Sequence, residues 1–112
     1  MIDDYRFGRI TINGKRYTSD VIVYPDRVDA SWWRKEGHAL AMDDLQEVVA
    51  AQPEVLVVGT GAYGLVRVPD ALRKALAELG IELSTAKTAE ACKTYNDIAP
   101  RKKTVAALHL TC

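Results

Sequence analysis

The pattern of apolar and polar positions begins with strand-like alternation. Positions from Tyr5 to Ile12 alternate well enough to predict a strand. Asn13-Gly14 follows, a strong hairpin signal because both residues tolerate a positive φ. The returning strand is predicted from Lys15 to Thr18. The chain is therefore expected to open with an antiparallel β-hairpin.

Two further apolar stretches precede the first predicted helix. Val21 to Tyr24 is rich in β-branched residues and stops at Pro25-Asp26, a turn pair. Another strand is predicted from Val28 to Trp33. A helix is then predicted to begin at Asp43, which can cap it, with Gln46 completing a capping-box-like pair.

The second half of the chain mixes buried strands with amphipathic helices. Val55 to Val58 is apolar without alternation, which is typical of a strand covered on both faces. A helix is predicted from Pro69, a first-turn residue, to a C-terminal cap at Gly80. A short strand is predicted from Ile81 to Ser84.

A third helix and a last strand complete the pattern. The helix is predicted to be capped by Thr88 and to run to about Ala99, before Pro100. One of its faces is apolar: Ala91, Cys92, Tyr95 and Ile98. Thr104 to Leu110 is the last predicted strand, again apolar on both faces.

This order of elements predicts the fold class. The alternation of helices and strands in the second half is typical of an α/β protein. We predict one three-layer domain over residues 1–112, with a central mixed β-sheet, flanking helices and an N-terminal antiparallel hairpin. A length of 112 residues suits one domain.

Composition and charge narrow the function classes. Lys plus Arg and Asp plus Glu number 15 each, so the formal net charge is zero and nucleic acid is an unlikely partner. No apolar run is long enough to span a membrane, and the N-terminus does not resemble a signal peptide. Two cysteines do not form a disulfide scaffold. We expect a cytoplasmic protein.

The glycines at Gly59, Gly61 and Gly64 have the spacing of a dinucleotide-binding fingerprint. That motif requires a helix to begin at the glycines, so that its N-terminus meets the pyrophosphate. Here the apolar, β-branched run Leu65–Val68 comes first. We therefore expect a tight turn at the end of a buried strand, and no NAD or other cofactor.

The same turn could still bind a group smaller than a dinucleotide. Crevices open at the carboxyl ends of strands in α/β sheets. Exposed N–H groups of Gly59, Thr60 and Gly61, with Arg67 nearby, would suit a carboxylate, a phosphate or an acidic side chain of a partner. The prediction adds three polar residues to this ligand-binding crevice: Tyr95, Asn96 and His109. The alternative is a turn with a purely structural role.

Two other groups of residues carry candidate chemistry. Trp32 and Trp33 precede Arg34-Lys35, a combination favoured at binding hot spots, and we expect one tryptophan in the core and the other exposed for a partner. The alternative is simple packing with solvated charges. Metal binding is not expected, because the spacing of the histidines and cysteines does not fit a zinc site. These four residues are His38, Cys92, His109 and Cys112.

Several segments together resemble the MTH938-like domain family of unknown function. They are Arg6–Tyr17 (RFG-x-I-x-I-x-G-K-x-Y), Asp20-Val21, Tyr24-Pro25, Val58–Gly61, Thr88 with Ala91, Thr94–Asn96, and His109–Cys112. Many relatives have Leu-x-x-Glu-Gly-Arg where this chain has residues 98–103. The family includes an adipogenesis-associated animal protein and is related to a mitochondrial complex I assembly factor. The resemblance implies a three-layer α/β fold, no established catalytic activity and no known cofactor.

Two functions remain in competition. The chain offers no paired carboxylates, no credible triad and no metal set, which favours a non-catalytic binding or assembly module with a protein partner or a second copy of itself. The rival is a small-ligand (anion, phosphate or carboxylate) binding protein, or a small enzyme, that uses the Gly59–Gly61 crevice.

Overall fold

A computed structural model describes residues 1–112 and contains two β-sheets, three α-helices and one 3₁₀ turn. The strands are β1 (Ile2–Arg6), β2 (Arg9–Ile12), β3 (Lys15–Tyr17), β4 (Val21–Val23), β5 (Val28–Asp29), β6 (Val55–Thr60), β7 (Glu82–Ala86) and β8 (Thr104–His109). The helices are α1 (Gln46–Ala50), α2 (Asp70–Glu78) and α3 (Thr88–Ile98), and the 3₁₀ turn is Met42–Leu45. None of the helices combines the length and the apolar character that crossing a membrane requires.

The central sheet is mixed and has the strand order β5-β4-β8-β6-β7. Strand β6 lies parallel to both β7 and β8, whereas β4 is antiparallel to β8 and β5 is antiparallel to β4. After β6 the chain moves to β7 on one side and then to β8 on the other. The carboxyl ends of β6 and β8 therefore form a topological switch point, where α/β proteins place their ligand sites.

Strands β6 and β8 are buried on both faces, as the unbroken apolar runs predicted. One set of their side chains packs with α1 and α2: Leu56, Val58, Val105 and Ala107. The alternate set packs with α3 and the N-terminal strands: Val55, Val57, Ala106 and Leu108. Helices on one face, and a helix with a small sheet on the other, give three layers. The predicted α/β class with a central mixed sheet is confirmed.

The N-terminal sheet is antiparallel, in the order β1-β2-β3. The Asn13-Gly14 hairpin turn is present, with φ values of 50° and 81°. The prediction of one strand from Tyr5 to Ile12 is wrong. Gly8, with φ of 76°, allows a second tight turn that divides this stretch into β1 and β2. The predicted hairpin is thus a three-stranded sheet.

The segment from Val28 to Asp44 differs most from its prediction. Pairing ends at Asp29, because its carboxylate accepts hydrogen bonds from the main-chain N–H and the hydroxyl of Ser31 (2.9 and 2.8 Å), which turns the chain away. The next helix does not begin with an Asp43 cap. Asp44 accepts the N–H of Ala41 at 2.8 Å and that of Lys35 at 3.0 Å, and a 3₁₀ turn leads into α1.

The later helix boundaries largely follow their signals. Pro69 stands at the N-terminus of α2, and Gly80 ends that helix with φ of 77°, while the Ile81 N–H bonds back to the Leu76 oxygen at 3.0 Å. Strand β7 begins one residue later and ends two residues later than predicted. The α3 face formed by Ala91, Cys92 and Tyr95 is buried as expected.

Candidate functional site

The carboxyl ends of β6 and β8 meet where Thr60 pairs with His109. The chain then turns sharply at Gly61, whose φ is 100°. Strand β4 lies on the other side of β8, and its register pairs Val21 with Leu108. Asp20, the residue before β4, is therefore placed beside His109. These contacts bring an aspartate and a histidine together at the switch point of the central sheet.

The Asp20 carboxylate is held by three donors. Its Oδ2 lies 2.7 Å from His109 Nδ1 and 2.7 Å from Arg34 Nη1. Its Oδ1 accepts the main-chain N–H of Leu110 at 2.8 Å. We call Asp20, Arg34 and His109 the polar cluster. It joins the segment before β4 and the loop after β5 to the end of β8.

Arg34 is almost completely buried within the polar cluster. Its Nε and Nη2 approach the carbonyl oxygen of Gly37 at 3.3 and 3.1 Å, and its guanidinium carbon lies 4.9 Å from the centre of the Trp32 ring. A buried guanidinium requires a paired charge and several acceptors. Asp20 supplies the charge, and Gly37 supplies the main-chain acceptor.

The distances assign the proton on the His109 ring. A separation of 2.7 Å between Nδ1 and the Asp20 carboxylate requires a proton between them, so Nδ1–H donates to Asp20. The Arg34 Nη2 atom at 3.0 Å from Nδ1 then lies beside the ring without donating to it. In the neutral imidazole, Nε2 keeps its lone pair, 3.4 Å from the Thr111 hydroxyl.

The surroundings of Asp20 favour its charged form. Burial alone would raise the pKa of this carboxyl. Hydrogen bonds from His109, the Leu110 N–H and Arg34 outweigh burial and lower the pKa of Asp20 to about 2. The carboxylate is therefore ionised at neutral pH and stays paired with Arg34.

The Thr88 side chain forms hydrogen bonds with both strand ends at the switch point. This threonine is fully buried; its hydroxyl accepts the Gly61 N–H at 3.0 Å and donates to the His109 main-chain oxygen at 2.6 Å. It was predicted to cap α3, but its hydroxyl makes no helix-cap bond. Thr88 instead fastens the first turn of α3 to the ends of both β6 and β8.

The predicted anion crevice is filled by the protein itself. The Gly61 N–H bonds to Thr88, and the Ala62 N–H bonds to the Thr111 oxygen at 2.8 Å. Gly59 and Thr60 belong to the central ladder. A Cβ on Gly61 would meet the Thr111 oxygen at 2.8 Å. The expectation that Gly59, Thr60 and Gly61 expose free N–H groups is wrong, because Gly59 and Thr60 belong to the sheet and Thr88 accepts the Gly61 N–H.

The remaining predicted ligand-binding residues are not gathered into one site, although Arg67 follows Val66, whose N–H donates to the Thr60 oxygen at 3.1 Å beside the glycine turn. Arg67 is exposed, and its main chain pairs with His38 and Leu40 at 2.8 and 2.9 Å. Asn96 forms a two-point pair with the main chain of Ile2: its Oδ1 accepts the N–H at 2.8 Å and its Nδ2 donates to the oxygen at 2.7 Å. The amide of Asn96 thus joins α3 to β1.

Tyr95 lies at the opposite end of the sheet from His109. It lines a cavity of about 420 Å³ with residues that flank the amino ends of β6 and β8, among them Glu54 and Thr104. None of the five main surface cavities is lined by Thr60, Arg67 or His109. Tyr95 therefore does not share a cavity with His109, although the sequence-based prediction required this. Nor does any group of three or more histidine, cysteine, aspartate or glutamate side chains have the geometry of a metal site.

Sequence reasoning did not select Asp20 and Arg34, the partners of His109. A signal for Asp20 exists, since an aspartate directly before one buried strand and a histidine at the end of another become neighbours if the strands pair antiparallel. That signal requires the pairing of β4 with β8, which periodicity does not reveal. Arg34 was noted only as a neighbour of the tryptophans, and no signal in the sequence places it beside His109, which it reaches from an irregular loop.

The two tryptophans separate as expected. Trp32 is 9% exposed, and its indole Nε1–H donates to the Asp44 carbonyl at 3.0 Å. Trp33 is 75% exposed. It borders a groove of about 200 Å³ whose other lining residues include four carboxylates: Asp29, Asp43, Asp44 and Glu47. We call this groove the Trp33 groove.

Fold and polar cluster together define a small three-layer α/β protein with a charged group of side chains at its switch point. The family model described as Protein of unknown function (DUF498/DUF598) matches residues 2–110. The chain belongs to this family, and its resemblance to MTH938-like domains is confirmed.

Solved structures agree with this assignment. A conserved hypothetical protein from Pyrococcus horikoshii is 28% identical, with 100% of this chain and 99% of that protein covered and a TM-score of 0.87. The Rpa2829 protein from Rhodopseudomonas palustris is 33% identical, with 96% and 81% covered and a TM-score of 0.78. A Mth938-like domain from Bordetella pertussis, 24% identical with 98% and 85% covered, shares the fold with a TM-score of 0.63.

Proposed function

We propose that this protein is a non-catalytic binding module of the cytoplasm that recognises a protein partner through the Trp33 groove. The observation that carries the proposal is the exposure of Trp33 on a fixed loop. Tryptophan is enriched among the residues that carry most of the binding energy at protein interfaces.

The loop on both sides of Trp33 is anchored. The preceding Trp32 is buried and hydrogen bonded to the Asp44 carbonyl, and the main-chain N–H of Lys35 donates to the Asp44 carboxylate. Arg34 is fixed in the polar cluster. Because its neighbours are fixed, the main chain at Trp33 loses little conformational entropy when a partner binds.

The charges around Trp33 specify the chemistry of the partner. Four carboxylates line the groove, and an indole face attracts cations. A lysine or arginine side chain of the partner would satisfy both features. Trp33 would stack on this cation while Asp43 and Glu47 neutralise its charge.

Affinity capture tests this function. Wild-type protein and the variants Trp33→Ala and Leu79→Ala are immobilised and exposed to a lysate of the source organism. Leu79 is a matched control because it is another exposed apolar residue, 52% exposed, at the end of α2. We expect a partner that is retained by wild type and Leu79→Ala but lost from Trp33→Ala. Equal retention by all three proteins would exclude the Trp33 groove.

The partner at the Trp33 groove could be a second copy of this chain instead of another protein. Analytical ultracentrifugation distinguishes these two cases. If the partner is a second copy, wild type will dimerise as its concentration rises, and Trp33→Ala will stay monomeric. If the partner is another protein, both will sediment as monomers. A dimer that survives in Trp33→Ala would place the interface elsewhere.

Binding of a small ligand, or acid–base chemistry, at His109 is a second candidate function. It is favoured by the Asp20–His109 hydrogen bond, because a carboxylate that orients Nδ1–H leaves Nε2 free to accept a proton. Phosphate, acetate, nucleotides and divalent metals can be added one at a time while the imidazole ¹⁵N resonances and the melting temperature are followed. No change at ligand concentrations of about 1 mM would exclude this function at any useful affinity.

A further inference from the structure

Phe7 and Tyr63 form an exposed aromatic pair at the carboxyl end of the central sheet. Their ring centroids lie 6.1 Å apart with the planes tilted by 41°. The two residues are 57% and 64% exposed. We call them the aromatic pair. Because the two rings are neighbours, they form a contiguous apolar patch, and such patches are used at binding surfaces.

Two main-chain hydrogen bonds hold the aromatic pair in place. The turn between β1 and β2 is attached by the Gly8 N–H, which donates to the Leu110 oxygen at 2.8 Å. The turn that carries Tyr63 is attached by the Ala62 N–H, which donates to the Thr111 oxygen at 2.8 Å. Both turns are thus fixed to the same short segment after β8. Rings that are fixed before binding lose little conformational entropy when a partner covers them.

Three cations lie on or beside the two turns that carry the aromatic pair. Arg6 and Arg9 face each other across the turn between β1 and β2. Lys87 packs against Gly64, where an added Cβ would lie 3.4 Å from the lysine Cγ. Of these three, only Arg6 forms an ion pair, an exposed one with Asp4 at 3.5 Å. The two turns that carry the rings thus bear three cations, of which Arg9 and Lys87 form no ion pair.

We propose that the aromatic pair is the docking site for an acidic segment of another protein. One apolar side chain of that segment covers the rings, and its carboxylates lie beside Arg9 and Lys87. We choose an acidic segment because its carboxylates complement the charges of Arg9 and Lys87. A second copy joined through the same surface would place the cations of both copies against each other. A membrane surface is disfavoured, because interfacial binding uses a long apolar helix face, whereas this site offers two rings on turns. The site is separate from the Trp33 groove.

A pair of synthetic peptides tests the proposal. One probe contains glutamates on both sides of a single leucine, and the other has lysines in place of the glutamates. Backbone ¹H–¹⁵N NMR spectra are recorded while each peptide is added. We expect the acidic peptide to shift the resonances of Phe7, Tyr63 and their neighbours, with a dissociation constant that rises with salt concentration. The basic peptide should leave these resonances unchanged.

Four variants separate docking from loss of folding. Phe7→Ala and Lys87→Glu should each raise the dissociation constant of the acidic peptide about tenfold, equal to about 1.4 kcal/mol. Leu79→Ala and Lys74→Glu carry the same kinds of change on α2 and should bind like wild type. All four substituted residues are exposed, so the NMR spectra should remain those of a folded protein.

Three outcomes would overturn the proposal. The first is no acidic-peptide binding up to about 1 mM. The second is equal binding of the acidic and the basic peptide. The third is concentration-dependent self-association that is lost in Phe7→Ala, which would make a second copy the occupant. Trp33→Ala alone should leave peptide binding unchanged, so failure of this site and failure of the Trp33 groove are distinguishable.

Discussion

The Thr88 hydroxyl donates a 2.6 Å hydrogen bond to the main-chain oxygen of His109, and it accepts the Gly61 N–H at 3.0 Å. One buried side chain thereby joins the start of α3 to the ends of two central strands. Gly59 leaves room for it, since an added Cβ there would lie 2.9 Å from the Thr88 hydroxyl oxygen. The closeness of α3 to the sheet and the position of His109 thus depend on the same contact.

Thr88→Val tests the importance of this contact. The substitution keeps the shape of the side chain but leaves a buried N–H and a buried carbonyl without partners. We expect a loss of about 2 kcal/mol in the free energy of unfolding, measured by urea titration, together with faster hydrogen exchange of the Gly61 amide. Thr88→Ser retains the hydroxyl and should lose about half as much. Similar losses in both variants would attribute the effect to the methyl group.

Asp20→Asn should reveal the charge interactions of the polar cluster. The variant leaves Arg34 buried without its counter-ion, so we expect a loss of about 3 kcal/mol at neutral pH by urea titration. Asp26→Asn is a suitable control, because Asp26 forms only an exposed ion pair with Arg27. A loss no greater than that of the control would show that the cluster contributes little to stability.

The same variant should also change the dependence of stability on pH. The pKa of Asp20 is about 2 in the folded protein, below its value of 3.8 in an unfolded chain. The contribution of the Asp20 charge to the free energy of unfolding is complete above about pH 4. It is lost as the pH falls through about 2, because the unfolded state takes up the proton at a higher pH than the folded state. The difference between wild type and Asp20→Asn should therefore shrink by about 2 kcal/mol over this interval. A constant difference would contradict the lowered pKa.

The sequence predicted the central layers well because the relevant signals are local. Unbroken apolar runs identified β6 and β8, and Asn13-Gly14 and Gly80 adopt the positive φ values that those residues favour. It did not predict the path from Val28 to Asp44. There, short contacts of the Asp29 and Asp44 carboxylates with the main chain replace regular pairing.

The candidate site was only partly predictable, for a different reason. Gly61 was selected as a turn at the end of a buried strand, and His109 as a sheet residue that could line the same crevice. Their partners depend on the pairing of β4 with β8 and on a loop that carries Arg34 inward. The filling of the crevice by Thr111 depends on how the chain continues after β8. These are tertiary contacts, and they produce no periodic pattern in the sequence.

Gly61→Ala should be costly for two reasons that a control can separate. The φ of 100° disfavours any side chain, and a Cβ would lie 2.8 Å from the Thr111 oxygen and 2.9 Å from His109 Cδ2. Gly14→Ala has a similar φ of 81° and no neighbour within 4 Å, so it should lose about 1 kcal/mol from backbone strain alone. We expect Gly61→Ala to lose at least about 2 kcal/mol more by urea titration. Equal losses would show that the segment after β8 moves aside freely.

The two cysteines should differ sharply in reactivity. Burial raises the pKa of the Cys92 thiol to about 12, whereas Cys112 is exposed. In the native protein at about pH 8, we expect a thiol reagent such as Ellman's reagent to label Cys112 rapidly and Cys92 at least roughly a thousandfold more slowly, because the thiolate is the reactive form. Both should react rapidly in denaturant. Cys112→Ser should abolish the fast phase while leaving the total in denaturant at one thiol. A fast phase that persists in Cys112→Ser would mean that α3 separates readily from the sheet and exposes Cys92.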